Sequence, residues 1–251
     1  MKEPFEYVSE AIRDGGELKL YRDRQHGNPS PVLLLTPAAA QPLPETLRRL
    51  GREYSLAAEL EPPWAAKPLA LIRHEGRTIL VLADPGGDPL DRILELDQPL
   101  DPLCFLRLAI GLATALRQVH QRGLIHKDVK PENVLVDDAG HVRLTGFGIA
   151  SRLPRERRAP APPEVVAGTL AYMSPEQAGR MNRSMDTRSD LYSLGVTLSG
   201  RMERENIAEL EGLVGAEGKG RPIVSDLKDM ILTGQEIARQ RNDPHSWRRK
   251  L

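Results

Sequence analysis

The sequence of 251 residues predicts an α+β fold of two lobes, a small strand-rich lobe followed by a helical lobe. Short apolar runs between turns fill the first part of the chain, and the clearest are residues 32–35 and 78–83. A glycine-rich break, Asp84-Pro85-Gly86-Gly87, follows the second run. Beyond it, apolar residues recur at three- and four-residue steps over residues 102–121, which predicts a long amphipathic helix.

The remaining elements are predicted from the same periodicities. Residues 45–60 and 90–94 have helical patterns, and residues 134–136 and 142–145 form two strands around a tight turn. A buried helix begins near residue 191. We therefore expect a first lobe over residues 5–87 and a partial second lobe over 88–198. Residues 199–251 are charged and punctuated by glycine, which predicts a divergent helical or disordered tail.

Composition narrows the classes of function. Lys+Arg and Asp+Glu are both 35, so the balanced charge indicates neither nucleic-acid binding nor attraction to a membrane surface. Cys104 is the only cysteine, which excludes an internal disulfide and fits a reducing compartment. The apolar runs 32–35 and 79–83 are far too short to span a bilayer. We expect a cytoplasmic protein with no nucleic-acid or membrane partner.

One polar stretch, His126 to Asp138, reads HKDVKPENVLVDD and leads directly into an apolar strand. It resembles the catalytic loop of serine/threonine protein kinases, H-x-D-x-K-P-E-N. The resemblance implies that Asp128 accepts the proton of a substrate hydroxyl and that Lys130 lies against the transferred phosphate. It also implies that Asn133 holds a metal ion in the ATP site and that the His126 ring packs under a following glycine motif.

By this resemblance, two groups that bind ATP and Mg²⁺ in kinases are missing. Thr145-Gly146-Phe147-Gly148 stands where kinases have D-F-G, so Gly146 replaces the magnesium-binding aspartate, while Phe147 and Gly148 keep their packing and backbone roles. Leu35 replaces the lysine that contacts the ATP phosphates. Glu53 matches the glutamate that pairs with this lysine, and the alternative is an ordinary exposed helix residue.

The glycine-rich loop that covers the ATP phosphates in kinases also keeps few of its glycines here. Arg13, Gly15 and Leu18 occupy its three glycine positions, so only Gly15 is left to approach phosphate. Lys19 lies beside the third position and is a possible substitute for the missing lysine. Because adjacent strand residues point to opposite faces, we expect Lys19 to face away from the nucleotide.

The region 167–195 resembles the end of a kinase activation segment and the start of the central helix. Gly168 and Thr169 would form the substrate platform, with Thr169 contacting the catalytic loop. Glu176 matches the glutamate of A-P-E, without its usual arginine partner. Asp190 would cap the catalytic-loop backbone, and a helix N-cap is the simpler alternative. The sequence of this region, which includes GRMNRS at residues 179–184, is most similar to the kinase module at the front of large bacterial sensor proteins. Those proteins also carry ATPase and histidine kinase segments.

These observations leave three hypotheses. The first is an active kinase that uses ATP and Mg²⁺ to phosphorylate a protein substrate, with Asp128 as base. The second is a pseudokinase or very weak kinase that acts as a signalling or binding module for a protein partner. The third is a decayed, C-terminally truncated fragment of a sensor protein. The missing lysine and aspartate favour the second hypothesis, because both groups act electrostatically on the transferred phosphoryl group.

Overall fold

The computed structural model describes residues 8–14, 16–24, 31–95, 102–153, 168–179 and 185–199. These residues form two lobes. The strands are β1 Val8–Arg13, β2 Leu18–Arg24, β3 Val32–Pro37, β4 Pro68–His74, β5 Arg77–Ala83, β6 Asp88–Pro89, β7 Leu124–Ile125, β8 Val134–Val136, β9 Val142–Leu144 and β10 Ser151–Arg152. The α-helices are α1 Pro44–Ser55, α2 Leu90–Glu95, α3 Pro102–Gln121 and α4 Thr187–Ser199.

The first lobe is a five-stranded sheet in the order β1-β2-β3-β5-β4, with α1 beside it. All neighbouring strands are antiparallel, and Leu35 of β3 lies opposite Leu20 of β2 and Leu80 of β5. Apolar side chains alternate along β3, so that Leu33 and Leu35 point into the core with Leu50 of α1. The inner face of the sheet is therefore a layer of packed leucines.

The connection between the lobes is fixed by Gly87 and Arg22. Gly87 has a φ of +79°, and a Cβ built there would lie 2.2 Å from the carbonyl oxygen of Val136, so only glycine fits. Arg22 Nε donates to Asp84 Oδ2 at 2.7 Å and so ties the connection to β2. Strand β6 then pairs with β8, which starts a three-stranded sheet, β6-β8-β9, in the second lobe.

The second lobe is built around α3. Leu112, Leu116 and Val119 lie on its buried face and pack in one cluster with Phe147 and with Leu194 of α4. By length and composition alone, residues 103–121 could cross a membrane. Their most apolar face is accounted for by this core, as expected for a central helix of a folded lobe.

Most predicted elements are confirmed. The strand at residues 134–136 and the helix at 102–121 are correct in both bounds, whereas the helix predicted over 45–60 ends at Ser55. Strand β4 was not predicted, because Leu69 and Ile72 are exposed on this edge strand and break the alternation that marks a half-buried strand. Of the predicted tail, residues 200–251 lie outside the described residues.

The packing of α3 predicts that Leu112→Ala lowers the free energy of unfolding by about 2–5 kcal/mol, because it leaves a cavity in a closed core. Ile110→Ala is the matched control on the same helix, since Ile110 is exposed, and it should change stability by about 0.5 kcal/mol or less. Urea unfolding of both variants measures the difference. Equal losses would contradict the assignment of the buried face.

Candidate functional site

The loop after β7 is held in place by one buried carboxylate. Asp190 of α4 accepts hydrogen bonds from the backbone N–H of His126 and of Lys127, each at 2.8 Å. Its Oδ2 also lies 2.9 Å from His120 Nε2. The alternative that Asp190 is the N-cap of α4 is wrong, because Asp186 fills that place and accepts from the backbone N–H of Arg188 at 2.9 Å.

The loop brings four polar side chains together. Asp128 Oδ2 accepts from Asn133 Nδ2 at 2.9 Å, and Asp128 Oδ1 accepts from the backbone N–H of Thr169 at 3.2 Å. Lys130 Nζ donates to Thr169 Oγ1 at 2.8 Å and lies 3.7 Å from Asp128 Oδ2. Thr169 therefore contacts the loop as the sequence predicted. A carboxylate, an ammonium group and an amide converge here, which is a set of groups able to orient a hydroxyl and a phosphate.

An aromatic stack supports the loop from below. The ring centroids of His126 and Phe147 are 4.5 Å apart, and Phe147 meets Trp64 edge-on at 6.3 Å. His126 Nε2 lies 3.0 Å from the carbonyl oxygen of Thr145, and His126 Nδ1 accepts from the backbone N–H of Asp128 at 3.2 Å. Burial lowers the pKa of His126, which favours the neutral ring that these two bonds require.

The glycine that follows Phe147 lies against α1. A Cβ built at Gly148 would come within 2.9 Å of the Cβ of Arg49, so a larger residue would push the helix away. Glu176, for which no arginine partner was predicted, accepts a hydrogen bond from Ser189 Oγ at 2.6 Å. Gly15 lies outside the described residues.

Glu53 is buried at 1% exposure, so the alternative that it is an ordinary exposed residue is wrong. Its Oε1 accepts from the backbone N–H of Gly146 at 3.2 Å, and the backbone N–H of Phe147 also favours the carboxylate. Burial outweighs these contacts and raises the pKa of Glu53 to about 7. The signal in the sequence was the spacing of Thr46, Leu50 and Glu53, which places all three on the buried face of α1.

The position of the missing lysine is apolar. Leu35 is 1% exposed and belongs to the leucine layer of the sheet. Lys19 does not replace the lysine, because its neighbours Leu18 and Leu20 face the core while its Nζ pairs with Asp14 Oδ1 at 2.7 Å. The prediction that Lys19 faces away is confirmed.

The position of the missing aspartate is occupied by a glycine that lies directly against the Asn133 amide. Gly146 has a φ of +80°, and a Cβ built there would lie 2.6 Å from Asn133 Cγ and Oδ1. No cluster of three His, Cys, Asp or Glu side chains that could hold a metal ion occurs among the described residues. The residues present therefore do not fit magnesium held between an aspartate and Asn133.

Arg13 is the site residue whose role the sequence did not reveal. It was noted only as a lost glycine, yet its Nη1 donates to Asn133 Oδ1 at 2.8 Å and to the carbonyl oxygen of Glu132 at 3.0 Å. The available signal in the sequence was the basic residue Arg13 at the end of β1, at a position where the resemblance places a glycine over the ATP phosphates. Arg13 and Asn133 thus connect the two lobes through the centre of the site.

Comparison with known proteins identifies the family. A sequence model of the protein kinase domain matches residues 39–216, which is more than half of the chain. The chain belongs to the protein kinase family. The match begins after β3 and continues past residue 198, where the sequence resemblance was expected to end. Kinases of this family use ATP and Mg²⁺ and act on protein substrates.

Bacterial serine/threonine kinases are among its relatives. The kinase domain is 38% identical over 160 residues to the DNA damage-responsive serine/threonine-protein kinase RqkA of Deinococcus radiodurans, covering 62% of this chain and 24% of that protein. It is 34% identical over 203 residues to the serine/threonine-protein kinase pkn3 of Myxococcus xanthus, covering 77% of this chain and 37% of that protein. The chain therefore spans well under half the length of these relatives.

The cap on the catalytic loop predicts a large effect of Asp190→Asn. The new amide would present donors to backbone N–H groups that need an acceptor, so we expect the free energy of unfolding to fall by about 3 kcal/mol. Asp138→Asn is the control, because Asp138 is exposed in the β8–β9 turn. Denaturant unfolding compares them, and a loss as small as that of the control would contradict the cap.

Glu53 predicts a pH dependence of stability. Its folded-state pKa of about 7 lies above the ordinary value of 4.5, so the folded protein holds a proton that the unfolded chain releases between these pH values. This contribution to stability is complete below pH 4.5 and is lost as pH rises through about 7. The loss amounts to about 3 kcal/mol.

The variant Glu53→Gln should remove this decrease in the free energy of unfolding with rising pH, because the glutamine side chain does not ionise. Urea unfolding at about pH 5, 6, 7 and 8, which covers the range of the pKa shift, measures this pH dependence. Glu45→Gln, on the exposed face of α1, is the control. The titration of His126 occurs in all variants and cancels in the comparison. Parallel pH profiles of wild type and Glu53→Gln would contradict the buried, proton-binding state of Glu53.

Proposed function

We propose that this kinase domain is a pseudokinase, which keeps the kinase fold and the catalytic loop but acts as a binding or signalling module for a protein partner. One observation carries the proposal. Gly146 has no side chain to bind magnesium, and the space beside it is taken by the Asn133 amide. Metal bridging of the β- and γ-phosphates is central to phosphoryl transfer, so the loss of this ligand weakens the transfer step directly.

The size of the expected defect supports the proposal. Losing one preorganised electrostatic group typically costs about 10²–10³ in rate. Leu35 and Gly146 each stand in place of one such group. Because the effects of interacting groups are only partly additive, we expect the rate of phosphoryl transfer to fall by a factor of about 10³–10⁵. With typical kinase turnover of about 1–100 s⁻¹, little transfer would remain.

An active kinase is the second candidate, and the geometry around Asp128 favours it. Asp128, Lys130 and Thr169 contact one another in the arrangement that would accept a hydroxyl proton and steady a phosphate. In this alternative Asp128 is the base, Lys130 contacts the phosphate and Asn133 binds the metal. The well-packed core around α3 and the buried cap by Asp190 speak against a decayed fragment that cannot fold.

The place of the domain in a signalling chain is a further part of the proposal. The sequence GRMNRS at residues 179–184 supports the assignment of this domain as a kinase module at the front of a large bacterial sensor protein. In that setting the partner is a protein segment of the same signalling system. The proposed organisation is a first lobe over 5–87, a second over 88–198 and a separate tail over 199–251.

The experiment that tests the proposal is transfer of labelled phosphate from Mg-ATP to a generic basic protein. The expected result is that wild type and Asp128→Asn give the same signal, at least about 10³-fold below an active bacterial serine/threonine kinase assayed beside them. Transfer by wild type that disappears in Asp128→Asn would overturn the pseudokinase proposal and establish the active alternative.

A further inference from the structure

Two contacts join the lobes across the cleft: Leu135 packs with leucines of the sheet, and Arg13 donates a hydrogen bond to Asn133. In protein kinases a glycine-rich loop covers the phosphates of ATP in this cleft, and the catalytic-loop asparagine holds a magnesium ion.

The apolar end is a cluster of leucines that crosses from one lobe to the other. Five come from the sheet and the sixth from β8 of the second lobe, and each is at most 1% exposed: Leu20, Leu33, Leu35, Leu80, Leu82 and Leu135. Because Leu135 packs in the same cluster as the sheet leucines, the lobes are in direct contact there. Protein interiors are close-packed, so a nucleotide base would have to separate these side chains to enter.

The polar end is closed by Arg13. The amide of Asn133 makes three hydrogen bonds, since its oxygen accepts from Arg13 at 2.8 Å and its nitrogen donates to Asp128 Oδ2 at 2.9 Å and to the Asp128 carbonyl at 2.8 Å. The oxygen that would bind a metal ion by family resemblance therefore already accepts from a cation. The guanidinium also contacts the carbonyl of Glu132, so it is held at two points.

The charges around Arg13 explain why a cation belongs there. Burial lowers the pKa of Arg13, and the surrounding carboxylates of Glu53, Asp128, Asp91 and Glu132 oppose that shift. A guanidinium stays charged in such a setting. With leucine in place of the β3 lysine, Arg13 supplies this group of side chains with a positive charge in addition to that of Lys130, which lies 3.7 Å from Asp128 Oδ2.

We infer that Arg13 is a built-in cation in the place of magnesium and that, with the leucine cluster, it closes the cleft so that this domain binds no nucleotide. The inference goes beyond the proposed function, because a pseudokinase without phosphoryl transfer can still bind ATP. The closed arrangement of the lobes is then a permanent property of the fold, independent of ATP.

The first test measures the melting temperature of the full chain with ATP or ADP, each with and without Mg²⁺. A nucleotide at about 100 times its dissociation constant raises the melting temperature of a domain this size by roughly 5–10 °C. The expected shift at millimolar nucleotide is below about 1 °C, within the scatter of the method. A shift of several degrees with Mg-ATP would overturn the inference.

The second test removes the cation. Arg13→Ala should melt roughly 5 °C lower than the control Arg48→Ala, since Asn133 and the nearby carboxylates lose their partner. Arg48 is exposed on α1 and pairs with Glu45 at 2.7 Å, so its removal should cost little. Arg13→Lys keeps the charge and should fall between the two.

Equal melting of Arg13→Ala and Arg48→Ala would overturn the role of Arg13. Should Arg13→Ala not fold, Arg13→Lys and the nucleotide titration of wild type decide the question. The outcomes also distinguish closure of the cleft from loss of phosphoryl transfer. Binding of Mg-ATP without transfer contradicts the closed cleft alone, whereas transfer that depends on Asp128 contradicts the pseudokinase proposal as well.

Discussion

The site depends on the hydrogen bonds of Asp190 to the catalytic loop. This carboxyl group has no exposure to water, accepts hydrogen bonds from two backbone N–H groups and contacts a histidine ring. These bonds fix the path of His126 and Lys127, the latter with a positive φ of 69° that a lysine adopts only when its surroundings impose it. Asp128, Lys130 and Asn133 owe their positions to this constraint, which does not involve nucleotide.

The second constraint is the position of helix α1, which here depends on other groups than in active kinases. In kinases a lysine of β3 pairs with a glutamate of the following helix, and the pair links the helix to the nucleotide. Here Glu53 bonds to the backbone N–H of Gly146, and Arg13 contributes a nearby positive charge. The helix is thereby tied to the glycine motif directly. Burial still raises the pKa of Glu53 to about 7, so below that pH the carboxyl group holds a proton and avoids the cost of an unpaired buried charge.

Much of the fold could be predicted from the sequence because its elements follow simple periodicities. The apolar stripe of α3 and the run of β8 are examples, and the catalytic loop could be identified because its residues are contiguous. Strand β4 and the burial of Glu53 could not be predicted with the same ease, since one is an exposed edge and the other is a charged residue inside a core. The contact of Arg13 with Asn133 joins residues 120 positions apart, so no local pattern reveals it.

Methyl NMR of the full chain is the direct test of whether the protein's own side chains hold the lobes closed. With leucine methyl groups labelled, we expect cross-lobe contacts between Leu135 and the sheet leucines that persist unchanged when Mg-ATP is added to millimolar concentration. Loss of these contacts, together with shifts of the Leu33, Leu35 and Leu135 methyl signals on addition of Mg-ATP, would contradict it.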